Sequence, residues 1–114
     1  MFEYNATLQQ VVDADTLRLN IDLGFHVWVT ATVRLARCDA PERGTLPGLV
    51  ATSFVSKQLQ AASAIRVQTH RSEKYGRWLG EILFTEPPDE KTWLNLSDLL
   101  IAQHHARPYS GGKR

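Results

Sequence analysis

Three carboxylates and two guanidiniums, spread over three short segments, are the residues of this chain best suited to chemistry. Asp15 lies in Asp13-Ala-Asp-Thr16. Arg34, Asp39 and Glu42 share Arg34-Leu-Ala-Arg-Cys-Asp-Ala-Pro-Glu42, and Arg77 closes Glu73-Lys-Tyr-Gly-Arg77. A phosphodiester is anionic, so its hydrolysis must overcome repulsion of the nucleophile and stabilise charge on the phosphoryl oxygens. Preorganised charge is the strongest aid to both. Carboxylates can hold a hard cation that binds a nonbridging oxygen and orients a water. Arginine suits a phosphate clamp because its planar fork makes paired hydrogen bonds and its charge does not titrate away. Glu42 stands three residues beyond Asp39, with Pro41 restricting the backbone between them. That placement suits a general base or a group that positions water.

The elements that must hold these residues are legible as strands and two helices. Tyr4 to Val12 reads as a strand, followed by a turn at Asp13-Ala-Asp15. In the second strand Leu17, Leu19 and Ile21 alternate with Thr16, Arg18 and Asn20. After a turn at Asp22-Leu-Gly24, a third strand is expected from Phe25 to Leu35. Its apolar face is Phe25, Val27, Val29, Ala31, Val33 and Leu35, and Trp28, Thr30, Thr32 and Arg34 fill the other. Arg34 is therefore expected to point away from the most apolar row.

A helix is expected from about Pro47 to Ala62, capped by Thr45, with Ala51, Val55, Leu59 and Ala62 at helical spacing. Strands follow at Ile65–His70 and Arg77–Phe84. A second short helix runs from about Leu94 to His104, with Asn95 or Ser97 as its cap. This order predicts a mainly β, α+β fold: a five-stranded antiparallel barrel of the OB type with two helices. The expected domain covers residues 1–106, and residues 107–114 read as an irregular C-terminal tail.

Bulk properties are neutral about function. The 114 residues suit one domain, 43% hydrophobic and 22% charged, with a net charge of +1. Attraction to phosphate must then come from local clusters, and Arg66, His70, Arg71, Lys74 and Arg77 form one, with Arg107, Lys113 and Arg114 a second. The single cysteine, Cys38, excludes an internal disulfide and reads as an inert buried thiol. His104 and His105 are adjacent on a helix and do not share a face, which argues against a zinc site. Trp28, Trp78 and Trp93 read as packing residues, although Trp28 shares a face with Arg34. No signal peptide or membrane-spanning stretch is seen, so a full-length chain is expected in the cytoplasm. A chain that has lost an N-terminal segment is expected to be secreted or periplasmic.

In order, spacing and context the three segments resemble the staphylococcal (thermo)nuclease family, and the resemblance extends from Tyr4 to about Tyr109. It implies an SNase-like barrel that hydrolyses DNA and RNA with little sequence preference, leaving 5′-hydroxyl and 3′-phosphate ends. By resemblance, Asp15, Asp39 and the backbone carbonyl of Ala40 bind calcium, with magnesium or manganese as alternatives that oxygen ligands also admit. Arg34 and Arg77 then clamp the phosphate, and Glu42 acts as general base or water-positioner. Lys74 and Tyr75 match positions that contact a terminal phosphate, Tyr109 lies near a base-stacking tyrosine, and Asp13 matches an acidic residue outside the metal's direct ligands.

The chain departs from the family pattern in four places. Ala40 stands where the family has threonine, Ala14 where it has glycine, and the connection from Glu42 to the first helix is shorter. The family's third helix is absent, so a monomer is expected, or a dimer formed through the surface left uncovered. Each segment also has an ordinary reading. Asp13-Ala-Asp-Thr is a common turn, Arg34 a strand-edge residue, Asp39-Ala-Pro-Glu a helix approach and Lys74-Tyr-Gly-Arg a hairpin. Two other functions stay open: a noncatalytic SNase-like module that binds nucleic acid, and an OB-type protein-interaction domain.

Overall fold

Alternation of apolar and polar residues over short runs builds the sheet, and a computed structural model describes it for residues 2–72 and 77–109, apart from the side chains of Arg71 and Ser72. The strands are β1 (Phe2–Asp13), β2 (Thr16–Asp22), β3 (Trp28–Leu35), β4 (Cys38–Asp39), β5 (Ala64–Ser72), β6 (Arg77–Thr85), β7 (Leu94–Asn95) and β8 (Arg107–Pro108). Helix α1 (Leu46–Ala61) lies between β4 and β5, and α2 (Leu96–Ala102) between β7 and β8. The main sheet runs β3-β2-β1-β5-β6-β7, and pairing of β3 with β6 closes β1, β2, β3, β5 and β6 into a five-stranded barrel. The two-helix, OB-type fold expected from the sequence is thus the fold observed. The closing pair is parallel, with Thr32 opposite Arg77 and Leu35 opposite Gly80, whereas the other barrel pairs are antiparallel.

The period-two rows decide what is inside. Leu17, Leu19, Val33, Leu35, Val67, Ile82 and Phe84 have no exposed surface, and each such side chain contributes roughly 1.5–3 kcal/mol on burial. Helix α1 starts at Thr45, whose hydroxyl accepts the Gly48 N–H at 3.1 Å, with Pro47 in the first turn, as the sequence predicts. Its buried side is Gly48, Ala51, Thr52, Val55 and Leu59, which packs on β1. Leu46, Leu49 and Val50 remain exposed on the other side. At Gly80 an added Cβ would stand 2.7 Å from the Gln68 carbonyl, so only glycine lets β5 and β6 approach this closely.

Three expectations need correction. The third strand begins at Trp28, because Phe25 (φ 54°) and His26 (φ 61°) take left-handed backbone in the turn that follows Asp22. Phe25 is consequently 98% exposed rather than part of the apolar row. The second helix is shorter than Leu94–His104: Leu94 and Asn95 pair with Phe84 and Leu83, and Asn95 then caps the helix by accepting the Asp98 N–H. Finally, Arg107 and Pro108 are not loose tail. They pair with Asp39 and Cys38, and the Tyr109 N–H donates to the Arg37 carbonyl at 2.9 Å, so the ordered domain extends past residue 106.

Candidate functional site

The turn between β1 and β2 and the end of β3 meet because their backbones are bonded. The Leu35 N–H donates to the Asp15 carbonyl at 2.8 Å, and the Arg34 guanidinium adds a longer bond to the same oxygen. Ala14 is wholly buried in this turn, so its methyl group is accommodated where the resemblance implies glycine. Docking the turn brings Asp15 against Arg34 although 19 residues separate them.

Arg34 then joins two carboxylates. Its Nη1 lies 3.0 Å from Asp15 Oδ2 and its Nη2 lies 3.2 Å from Asp39 Oδ1. Register places Arg34 on the outer face of β3, opposite Thr16 and Leu79, as its alternation with Val33 and Leu35 implies. Yet Arg34 is only 4% exposed, so it is a buried charge held by a pair of anions rather than a solvated edge residue. Asp15 also accepts the Thr16 hydroxyl at 3.1 Å and the Ala40 N–H at 2.9 Å. Asp39 Oδ2 meets Arg107 Nη2 at 3.3 Å, a contact made by the short β4–β8 pair. Sequence reasoning places Arg107 only in a general basic cluster, because two-residue strands leave no periodic signal.

Glu42 is exposed and stands on the loop that enters α1. Its backbone carbonyl accepts both the N–H and the hydroxyl of Thr45, at 3.0 and 2.7 Å, which fixes the loop against the helix start. Asp13 supports the same loop through its Oδ1, which accepts the Arg43 N–H at 3.0 Å. It therefore holds the Glu42 segment directly. An open cleft of about 580 Å³ is lined by Asp39, Glu42, His104 and Arg107 among others. Arg77 begins β6 opposite Thr32, on the outer face that also carries Arg34. Its Nε is buried with no hydrogen-bond partner among the described residues, an orphaned donor beside the Arg34 site. Tyr109 stands opposite Arg37, beyond Arg107 and farther from Asp39. Lys74 and Tyr75 lie outside the described residues.

The donor set fits a hard cation. Asp15, Asp39 and the Ala40 carbonyl offer only oxygen, which suits calcium or magnesium and not a soft metal. A carboxylate has about four lone-pair directions. The bonds above take three on Asp15 and two on Asp39, leaving acceptor capacity among the described residues. The same residues contain no cluster of three or more His, Cys, Asp or Glu side chains positioned for a metal, so the carbonyl of Ala40 and bound water would have to complete any coordination.

A second charged cluster escaped the sequence reading. Arg37, at φ 68°, turns its side chain toward β6, where Nη2 lies 2.8 Å from Glu81 Oε1 and Nη1 lies 2.8 Å from Asp98 Oδ1. Glu81 also accepts from Asn95 Nδ2 at 3.0 Å and lies 3.3 Å from His70 Nε2. Burial alone would raise the Glu81 carboxyl, but bonds from Arg37, Asn95 and His70 outweigh it and hold the group below its ordinary value. The basic cluster expected around Arg66 and His70 is accordingly split. His70 faces Glu81, while Arg66 pairs with Glu3 at 3.3 Å and covers the Trp93 ring at 4.3 Å. Compared with known proteins, the chain matches no protein-family model and no curated protein sequence.

Proposed function

We propose that this chain is a divalent-metal-dependent phosphodiesterase of the staphylococcal nuclease type, acting on DNA and RNA with little sequence preference. The observation that carries the reading is the Arg34 bridge between Asp15 and Asp39, with Ala40 N–H on the same Asp15 carboxylate. A purely structural turn does not need a buried guanidinium shared by carboxylates from two separate segments. Desolvating three charges has a cost that hydrophobic packing would avoid, so their retention favours a chemical role.

Asp15, Asp39 and the Ala40 carbonyl would hold calcium, which supplies Lewis-acid stabilisation of the phosphoryl oxygen when bound. Arg34 binds one phosphoryl oxygen, and Arg77, with its orphaned Nε, binds another. Glu42 reaches into the open cleft from a fixed loop, where it accepts a proton from the attacking water or orients it. Attack opposite the 5′ oxygen leaves a 5′-hydroxyl and a 3′-phosphate.

A second reading, a noncatalytic nucleic-acid-binding module, draws on the guanidiniums already paired with Asp39: Arg34 on one oxygen and Arg107 on the other. The two readings separate on cleavage of labelled single-stranded DNA in calcium, in magnesium and in chelator, with Glu42→Gln for comparison. Metal-dependent cutting, lost on chelation and reduced at least 100-fold in the variant, is the expected result on the scale of lost transition-state stabilisers, roughly 10²–10³. Binding without cutting in any metal assigns the chain to the second reading.

A further inference from the structure

Outside the Arg34–Asp15–Asp39 group, the outer face of the barrel carries a second set of residues with nucleic-acid character. The strand register builds it. On β2 and β3, Thr16 faces Arg34, Arg18 faces Thr32, Asn20 faces Thr30 and Asp22 faces Trp28. On the other side of β3, Arg77 faces Thr32. Leu17, Leu19 and Ile21 point into the core, so these alternate residues all share the outer face. Arg18 and Arg77 thus flank Thr32 across three strands, about 10 Å apart at two interstrand spacings. Trp28 lies about 13 Å farther along β3, four residues from Thr32. It is 53% exposed, so it is not the packing residue expected from the sequence.

Charge on this face is poorly compensated. Arg18 Nη1 donates to the neutral Thr32 hydroxyl at 3.2 Å, and neither Arg18 nor Arg77 forms an ion pair among the described residues. The nearby carboxylate, Asp22, has Oδ1 engaged by the Gly24 N–H at 2.8 Å. Asn20 and Thr30 between them are bonded to each other at 2.8 Å and add polar, uncharged surface. Among the described residues, β3 pairs only with β2 from Trp28 to Ala31, and its pairing with β6 starts at Thr32.

We infer that the outer face of β2 and β3 is a single-strand track: Arg18 holds the phosphate next to the one clamped by Arg34 and Arg77, and Trp28 stacks a base farther along the same strand. The inference rests on reading Arg34 and Arg77 as a phosphate clamp. Cations spaced along a groove with an exposed aromatic ring are what sequence-tolerant single-strand binding requires, because every base has a π face. A protein partner would need an apolar centre, which a face of Arg18, Asn20, Thr30 and Thr32 does not offer.

The test uses fluorescent oligothymidylate and the full chain in chelator, so that no metal-dependent cutting occurs, with affinity measured over a range of salt. Arg18→Ala should weaken binding and lower the salt slope by about 0.7, the value for one phosphate contact on a single strand. Trp28→Ala should weaken binding roughly 5- to 150-fold with an unchanged slope, and Trp28→Phe should restore part of the loss. Arg66→Ala, on another face and already paired with Glu3, serves as the control. Circular dichroism establishes that each variant folds, and Arg18→Gln replaces Arg18→Ala should that variant misfold. If both variants bind like the control while wild type binds and cuts, the track is wrong and the phosphodiesterase reading stands. If wild type and variants bind as expected but nothing cuts in any metal, the track stands and the hydrolase reading falls. No binding by wild type overturns the track, and metal-dependent cutting then decides the hydrolase reading by itself.

Discussion

Helix α1 begins so close to the Glu42 backbone that a side chain on Gly48 would overlap the Glu42 carbonyl. The obstructing atoms are main chain, so no rotamer change relieves the clash. Gly48 is therefore the residue that lets the Glu42 loop lie against the barrel, bonded to Thr45 through that same carbonyl. Gly48→Ala should push the loop outward and cost about 1–3 kcal/mol, the usual range for overpacking. Urea denaturation measures the stability loss. On the proposed function, kcat should fall with it while calcium affinity is nearly unchanged, since Asp15 and Asp39 are held by other contacts.

Asp13 grips the same peptide unit, Glu42–Arg43, through its N–H. Its Oδ1 accepts the Arg43 N–H, so Asp13→Ala leaves that amide without its side-chain acceptor. The expected cost is about 0.5–1.5 kcal/mol, the net worth of one hydrogen bond. Hydrogen exchange is the sensitive probe here, and the Arg43 amide should exchange faster while amides in β2 and β3 do not. An Arg43 amide protected as in wild type would show that Asp13 does not hold the loop.

How much of this arrangement could be read from sequence depends on how local its signals are. Thr45 and Pro47 announce α1 because a cap and an early proline are contiguous with the helix they start. The inner rows of β2 and β6 are equally plain, since Leu17, Leu19, Ile82 and Phe84 keep strict alternation. The hairpin after Asp22 misleads for the same reason. Phe25 and Val27 continue the alternation, but Phe25 and His26 are in fact a left-handed turn, a conformation neither of those two side chains advertises. Contacts made by two-residue strands have no period at all, so the Arg107–Asp39 pair was out of reach. Glu81 was not: a lone carboxylate inside the apolar run Leu79–Phe84 demands a cationic partner, and Arg37, isolated among Leu35, Ala36 and Cys38, is the matching one.

Arg107 competes with any cation for Asp39. Its side chain is 80% exposed and the pair is a surface one, worth about 0.2–1 kcal/mol. Arg107→Ala should therefore tighten calcium binding about 1.4- to 5-fold, because Asp39 Oδ2 no longer has to release a guanidinium. Isothermal titration calorimetry of the two proteins decides the point. Weaker binding in the variant would mean that Arg107 orients Asp39 for the metal instead of competing for it.

Acid should expose the role of Glu81. Burial opposes its charged form, yet Arg37, Asn95 and His70 together favour that form more strongly, so the carboxyl sits below the ordinary 4.5 in the folded chain. A carboxyl with a depressed folded value binds protons more readily when unfolded. Its stabilisation is thus complete above the unfolded value and is lost as pH falls through the lower folded one. The window opens near pH 4.5 and extends downward from there. Glu81→Gln removes the titration and leaves Arg37 with Asp98 alone, so the variant should be less stable at pH 7 by about 1.5–3 kcal/mol, the range for a hydrogen bond to a charged group. Its stability should also fall less steeply than wild type's below pH 4.5. Urea melts of both proteins from neutral pH into that window test the assignment, and parallel pH profiles would show that Glu81 carries no part of the acid sensitivity.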